Sequence, residues 1–157
     1  QALRALLNIL HNELGYHTCL DTTAFAPWET LASVLPFLDL ILLDLKHMDG
    51  AEHKSLTGVD NGLILENAQR LGRASFPVLI RIPLIPGYND TADNLEKTGA
   101  FIREQGFHDV ELMPYHNLGQ SKYAALGLPC RHFEGAPRVD EAVETLSRYG
   151  LCIKVHS

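Results

Sequence analysis

Apolar residues follow two different periods along the chain, and the change of period separates predicted helices from predicted strands. The first segment carries leucines three or four residues apart from Leu3 to Leu14, the stripe of an amphipathic helix, and Gly15 follows as its stop. Apolar runs of strand length then recur five times. The predicted strands are His17–Asp21, Asp39–Lys46, Phe76–Pro83, Asp109–Met113 and Leu151–His156.

The gaps between the predicted strands contain apolar residues at helical spacing. Pro27 starts a helix that extends to Leu38, and Asp90 or Thr91 caps a later one. Residues 117–138 show little periodicity, which predicts a long functional or covering loop. The remaining predicted helices are a short turn at Ala51–Leu56, a longer helix near Leu63–Ala74 and a last helix from Val139 that ends before Gly150.

Strands that alternate with helices predict an α/β fold, because right-handed crossovers between successive strands build a parallel sheet. A closed eight-stranded barrel needs ~250 residues. Five strands in 157 residues therefore form either an open sheet or a piece of a larger barrel, and a start inside a helix favours the piece. We expect residues 1–157 to form a single domain, an incomplete TIM-like barrel that lacks its amino-terminal strands.

The charge of the chain limits its partners. The 13 Lys and Arg residues against 19 Asp and Glu give a net charge of −6, which argues against nucleic acid and anionic membranes. No apolar stretch approaches the ~18 residues of a membrane span, and no signal-peptide pattern is visible. Cys19, Cys130 and Cys152 match no metal or disulfide spacing, so we expect reduced thiols that are small apolar fillers in a cytoplasmic protein.

Polar residues gather at the carboxyl ends of the apolar runs. In a parallel α/β sheet these ends lie at one edge, and ligands bind there. Four separate segments therefore contribute to one predicted site. Its candidate residues are Asp21 and Thr22 from the first strand, Asp44 and Lys46 from the second, Arg81 from the third and His116 after the fourth.

The acidic candidates each have two interpretations. Asp44 and Lys46 lie two positions apart on one strand, so their side chains share a face and form either a structural ion pair or a ligand-binding pair. Asp21 with Thr22 is either an oxygen site for a cation or a turn that caps the next segment.

The remaining candidates are ambiguous in the same way. Arg81, within VLIRIP, either extends over its apolar neighbours or meets an anion or a carboxylate. His116 is either satisfied by the backbone or contacts a ligand. Four other histidines have no partner at i+4 and no acidic surroundings, so we expect them in solvent. They are His47, His53, His108 and His132.

Five stretches carry a resemblance to one family. They are HTCLDTT from His17, DLILLDLKHMD from Asp39, LTGVDN from Leu56, IRIPLIPGYND from Ile80 and ELMPYHNLGQSKYAALG from Glu111. Together they resemble the activating enzymes of glycyl radical enzymes, typified by pyruvate formate-lyase activating enzyme, within the radical S-adenosylmethionine superfamily. The stretches occur in the family's order and cover most of the chain, which is more specific than any single motif.

The resemblance implies a partial (β/α)6 barrel and an iron-sulfur oxidoreductase that reductively cleaves S-adenosylmethionine on a [4Fe-4S] cluster. The resulting 5′-deoxyadenosyl radical takes a hydrogen from a backbone glycine of the partner glycyl radical enzyme, and a flavodoxin or ferredoxin supplies the electron. By the same resemblance, Arg81 lies between the cofactor and the incoming glycine loop and belongs to both binding sites. The other implied roles are cofactor binding by Asp44, Lys46 and His116 and monovalent-cation binding by Asp21, Thr22 and Asp44.

Two motifs of the family are missing from the 157 residues. The CxxxCxxC that holds the cluster is absent, and so is the Gly-Gly-Glu strand end that binds the amino group of the cofactor. We therefore interpret the chain as the carboxyl-terminal part of such an enzyme, inactive alone, and expect an exposed strand edge to promote self-association. Thr23 and Ala24 stand where the family often has a glycine after the Asp-Thr pair, which affects the backbone of this loop.

Two other function classes remain open at the level of sequence. A barrel lyase could use a desolvated Lys46 to form a Schiff base with a carbonyl substrate. A non-catalytic binding module could dock another protein through the loop from Asn117 to Arg138. Borohydride trapping of an adduct at Lys46 distinguishes the first, and a pull-down with the loop deleted distinguishes the second.

Overall fold

The fold is an open, fully parallel five-stranded sheet, seen in a computed structural model that describes residues 2–129 and 132–156. The strands are β1 Cys19–Thr22, β2 Leu40–Asp44, β3 Val78–Leu84, β4 Asp109–Pro114 and β5 Cys152–Val155. Each strand pairs in parallel with the next one along the chain, so β1 and β5 form the edges. The predicted α/β class and all five predicted strands are confirmed, with ends displaced by at most two residues.

Helices fill the connections between the strands. They are α1 Ala2–Asn8, α2 Trp28–Ala32, α3 Gly50–Thr57, α4 Gly62–Arg73, α5 Ala92–Glu104, α6 Gln120–Ala125 and α7 Val139–Ser147. A π-helical turn, Ile9–Glu13, continues α1. Among the described residues, no helix is both long enough and apolar enough to cross a membrane.

Two of the predicted segments are wrong in detail. The helix predicted from Pro27 to Leu38 is interrupted, because Pro36 has no backbone N–H to donate to the carbonyl of Ala32; α2 ends at Ala32 and a 3-10 turn follows at Leu35–Phe37. The segment 117–138, predicted as a loop, contains a 3-10 turn and α6.

One face of the sheet packs beneath the helices and the other does not. Because successive right-handed crossovers in one direction put the helices on the same side, alternate strand residues are buried there. The most deeply buried of them are Ile41, Leu43, Ile80, Leu84, Val110 and Leu112. The residues between them are only half-buried or exposed. We call this second side the open face; it includes Asp21, Asp44, Arg81 and Glu111.

Cysteine and histidine positions correct two predictions. Cys19 and Cys152 are exposed rather than buried fillers, because they begin the two edge strands and have few neighbours there; Cys130 lies outside the described residues. His53, predicted in solvent, is only 3% exposed. Its Nδ1 lies 2.7 Å from the carbonyl oxygen of Val59 and 3.0 Å from Thr57 Oγ1, which gives this ring nitrogen partners within the turn after α3.

Asp39 joins the segments that enter β1 and β2 and provides a pH-dependent contribution to stability. The backbone N–H of Thr18 donates to Asp39 Oδ2 at 2.7 Å, and this bond is the main reason why the pKa of Asp39 lies below its ordinary value. A lowered pKa in the folded state stabilises the fold above the unfolded pKa, and this stabilisation is lost as the pH falls through the folded value. We therefore expect Asp39→Asn to lower the urea midpoint at pH 6 and to lower it by less near pH 3, below the unfolded pKa. An equal effect at both pH values would contradict this origin.

Candidate functional site

Three strands bring four charged side chains into direct contact on the open face. Asp44 lies opposite Arg81 in the register of β2 and β3. Arg81 Nη1 is 2.7 Å from Asp21 Oδ2 and Arg81 Nε is 3.5 Å from Asp44 Oδ1. Lys46 Nζ lies 2.8 Å from the other oxygen of Asp44. We call Asp21, Asp44, Lys46 and Arg81 the charge cluster.

The centre of the charge cluster is shielded from water. The side chains of Asp44 and Arg81 are 16% and 18% exposed, whereas that of Asp21 is 59% exposed. Asp44 Oδ1 and Arg81 Nε are both buried, and neither has a hydrogen-bond partner. They attract each other across 3.5 Å without making a hydrogen bond. Buried polar atoms without partners are uncommon and costly, so these two atoms have unused capacity for a ligand group.

Glu111 belongs to the same face and was missed by the sequence analysis. The strand register aligns Asp44 with Arg81, Arg81 with Glu111, and Glu111 with Lys154, so that acidic and basic residues alternate across four strands. The Glu111 side chain is 14% exposed, and its Oε1 lies 3.2 Å from His156 Nδ1 and 3.9 Å from Lys154 Nζ. In the sequence, the only sign of this role is that Glu111 is an acidic residue between two apolar residues of β4. That sign becomes informative only once the strand register is known.

Thr22 is separated from the two carboxylates with which it was grouped. Neighbouring side chains of a strand point to opposite faces, so Thr22 lies on the helix side while Asp21 lies on the open face. Thr22 Oγ1 accepts a hydrogen bond from the backbone N–H of Ala24 at 2.9 Å. Of the three predicted cation ligands, the structure therefore brings together only the carboxylates of Asp21 and Asp44, and both already contact Arg81.

His116 lies at the same edge of the sheet as Lys46. It follows β4 by two residues and is exposed. The preceding residue, Tyr115, donates its backbone N–H to the carbonyl of Leu84 at 3.0 Å, which holds this segment beside the end of β3.

A buried asparagine fixes the position of Lys46. Asn89 is 1% exposed and lies in the turn between β3 and α5. Its amide donates to the carbonyl oxygens of Lys46 at 2.8 Å and Pro83 at 2.7 Å, and its Oδ1 accepts from the backbone N–H of Ile85 at 2.7 Å. One side chain therefore ties the carboxyl ends of β2 and β3 to each other.

A second buried asparagine fixes the loop that follows Asp21. Asn67, on α4, is fully buried and donates to the carbonyls of Ala24 and Ala26, both at 2.8 Å. Ala24 has a φ of 55°, the left-handed region that favours glycine. This loop is where the sequence departs from the glycine pattern of the family it resembles. The hydrogen bonds from Asn67 help to hold an alanine in that conformation.

The described residues do not fit an iron-sulfur cluster. Cys19 and Cys152 begin the opposite edge strands of the sheet. In the described part of the chain, no group of three or more His, Cys, Asp or Glu side chains is arranged to hold a metal ion. The charge cluster instead offers a lysine, an arginine and two carboxylates, which suit an organic ligand with a carboxylate and hydroxyl groups.

Comparisons with known proteins identify relatives of the whole chain. No family model matches the chain. It is 46% identical over 110 residues to the isethionate sulfite-lyase activating enzyme of Nitratidesulfovibrio vulgaris, covering 68% of this chain and 35% of that protein. It is 42% identical over 144 residues to the pyruvate formate-lyase-activating enzyme of Staphylococcus aureus, covering 87% of this chain and 57% of that protein.

Solved structures show the same likeness. A domain of a pyruvate-formate lyase-activating enzyme from Bacteroides vulgatus superimposes with a TM-score of 0.80 at 31% identity, covering 98% of this chain and 90% of that domain. A radical SAM methyltransferase from Sphaerobacter thermophilus shares the fold alone, with a TM-score of 0.74 at 21% identity.

The open parallel sheet and its likeness to these structures thus define an α/β protein of the incomplete-barrel class. Within that class, the chain belongs to the family of pyruvate formate-lyase activating enzymes and related glycyl radical enzyme activating enzymes, which confirms the resemblance. It spans 35% to 57% of the length of the curated relatives described above.

Proposed function

We propose that residues 1–157 form one domain, the carboxyl-terminal part of the barrel of a glycyl radical enzyme activating enzyme, and that this domain contributes part of the S-adenosylmethionine site of the intact enzyme, while the chain alone binds the cofactor weakly or not at all. The observation that carries the proposal is the pairing of Asp44 with both Lys46 and Arg81 at the end of β2. In this family the cofactor supplies the oxidising species that removes hydrogen from a glycine.

The chemistry of each side chain supports a role in binding. Lys46 presents an ammonium group that would pair with the methionine carboxylate of the cofactor. Asp44 has one buried oxygen without a hydrogen-bond partner, which would accept a ribose hydroxyl. His116 lies exposed at the same edge of the sheet, after β4, where it would contact the cofactor from the side opposite Lys46. Arg81 would lie between the cofactor and the glycine-bearing segment.

The protein partner we propose is a glycyl radical enzyme of the pyruvate formate-lyase type, with a flavodoxin or ferredoxin as electron donor in the cytoplasm. Membership of the activating-enzyme family supports this assignment. The 157 residues contain no CxxxCxxC, and the described residues provide no ligand set for a cluster. We therefore propose that this chain alone has no activity.

The geometry at Lys46 does not favour the Schiff-base lyase. Lys46 Nζ lies 2.8 Å from the Asp44 carboxylate and its side chain is 26% exposed, whereas this lyase would need a desolvated amine without a carboxylate partner.

The test is to express the reading frame of this chain together with the codons that precede Gln1. We expect those codons to encode a CxxxCxxC, and the reconstituted protein to release 5′-deoxyadenosine from S-adenosylmethionine under dithionite, while the 157-residue chain releases none. Preceding codons without the motif, or product formation by the chain alone, would overturn the proposal.

We expect the 157-residue chain to self-associate. Strand β1 has only β2 as a neighbour in the described sheet, so its other edge has unpaired backbone groups. Leu3, Leu6 and Ile9 are also 48%, 52% and 43% exposed on the helix that precedes it. Sedimentation velocity should show oligomers that Leu6→Glu reduces and the exposed-surface control Lys54→Glu does not. A monomer at high concentration would refute this expectation.

A further inference from the structure

The guanidinium of Arg81 lies between the two carboxylates that were predicted to bind a monovalent cation. Arg81 Nη1 is 2.7 Å from Asp21 Oδ2, and Arg81 Nε is 3.5 Å from Asp44 Oδ1. The two acids lie on neighbouring strands, and the planar fork of the arginine reaches both of them.

The charge cluster is already neutral without a metal ion. Asp21 and Asp44 contribute two negative charges, and Arg81 and Lys46 contribute two positive charges within 4 Å of them. An added monovalent cation would make the cluster positive around two side chains that are less than one-fifth exposed. Uncompensated charge in such a place is unfavourable.

The third predicted ligand is also turned away. The hydroxyl of Thr22 lies on the helix side of β1 and is bonded to the N–H of Ala24. The described side chains therefore do not fit a metal ion between Asp21 and Asp44 while Arg81 remains there.

We propose that Arg81 is the resident cation of the Asp21 and Asp44 pair, and that a monovalent metal ion binds at these carboxylates only when the guanidinium is absent or displaced. Arg81 Nε and Asp44 Oδ1 make no hydrogen bond, so the contact on that side is electrostatic only. This weak contact favours displacement of the guanidinium. The proposal concerns the same site as the proposed function but does not depend on that activity, since neither the cofactor nor a partner enters its test.

The experiment measures the melting temperature of the full chain in NaCl, KCl and choline chloride at equal ionic strength. The wild type should melt at the same temperature in all three salts, because its carboxylates already have a cation. Arg81→Gln should melt lower in choline and recover by about 3 °C with Na⁺ or K⁺ in a saturable way, as expected for a ligand that binds only the folded state.

Two control variants isolate the carboxylates. Arg81→Lys keeps a positive charge and should stay insensitive to the choice of cation. The double variant Arg81→Gln with Asp44→Asn should lose the recovery, because one carboxylate is gone. A cation response in the wild type equal to that of Arg81→Gln, or no response in Arg81→Gln, would overturn the proposal.

A measurement that does not use Arg81→Gln covers the case in which this variant does not fold. Sodium-23 line widths should show no saturable site on the wild-type chain. A saturable site that K⁺ displaces and that Asp44→Asn removes would mean that the metal ion, and not Arg81, neutralises the carboxylates.

Discussion

Asn89→Ala should lower the free energy of unfolding by about 3 kcal/mol, because three hydrogen bonds to backbone groups are lost at once, at about 1 kcal/mol each. The side chain is 1% exposed, so little water can replace its amide. The bonds to Lys46 O and Pro83 O join the ends of β2 and β3, and the bond from Ile85 N closes the turn after β3. Urea unfolding followed by the fluorescence of Trp28, the only tryptophan, measures the loss.

Asn89→Asp separates the loss of donors from the loss of volume. A carboxylate keeps the acceptor for Ile85 N but turns an oxygen toward the carbonyls of Lys46 and Pro83, so we expect it to destabilise at least as much as Asn89→Ala. The matched control is Asn12→Ala, an exposed asparagine with one side-chain bond to Asn8, expected to cost less than about 0.5 kcal/mol. If the loss in free energy of unfolding caused by Asn89→Ala lies within about 1 kcal/mol of the loss caused by Asn12→Ala, the proposed role of the Asn89 side chain is contradicted.

The strands and the polar residues at their carboxyl ends could be predicted from the sequence, because both depend on the local pattern of apolar and polar residues. Apolar runs identify buried strands, and polar residues at their carboxyl ends converge in any parallel sheet. The shared face of Asp44 and Lys46 followed from the two-residue period of a strand, and the structure shows their ion pair. The contact between Arg81 and Asp21, 60 residues apart, follows from the same convergence.

The residues missed by sequence depend on register and on how loops fold back. Glu111 joins the row of charges only because β4 aligns it with Arg81. Asn67 and Asn89 look like ordinary polar residues in sequence, yet each is buried because a backbone segment from elsewhere in the chain folds over it. Thr22 was grouped with Asp21 by adjacency, although adjacent strand residues lie on opposite faces.

Lys46→Met should lower the activity of the enzyme expressed with the codons that precede Gln1 by about 10-fold to 100-fold at limiting S-adenosylmethionine. A hydrogen bond to a charged group contributes about 1.5–3 kcal/mol, which corresponds to this range. Methionine keeps the length of the side chain and removes the charge that would pair with the cofactor carboxylate. The loss should appear as a raised KM for S-adenosylmethionine, read from the rate of 5′-deoxyadenosine formation.

Two variants distinguish binding from a structural effect of losing the ion pair with Asp44. Lys46→Arg keeps the positive charge and should retain more of the activity than Lys46→Met, because a guanidinium also pairs with a carboxylate. Lys54→Met removes an exposed lysine from α3 and should leave KM unchanged. If Lys46→Met changes KM by less than twofold while the protein remains folded, Lys46 does not bind the cofactor and the site assignment for β2 fails.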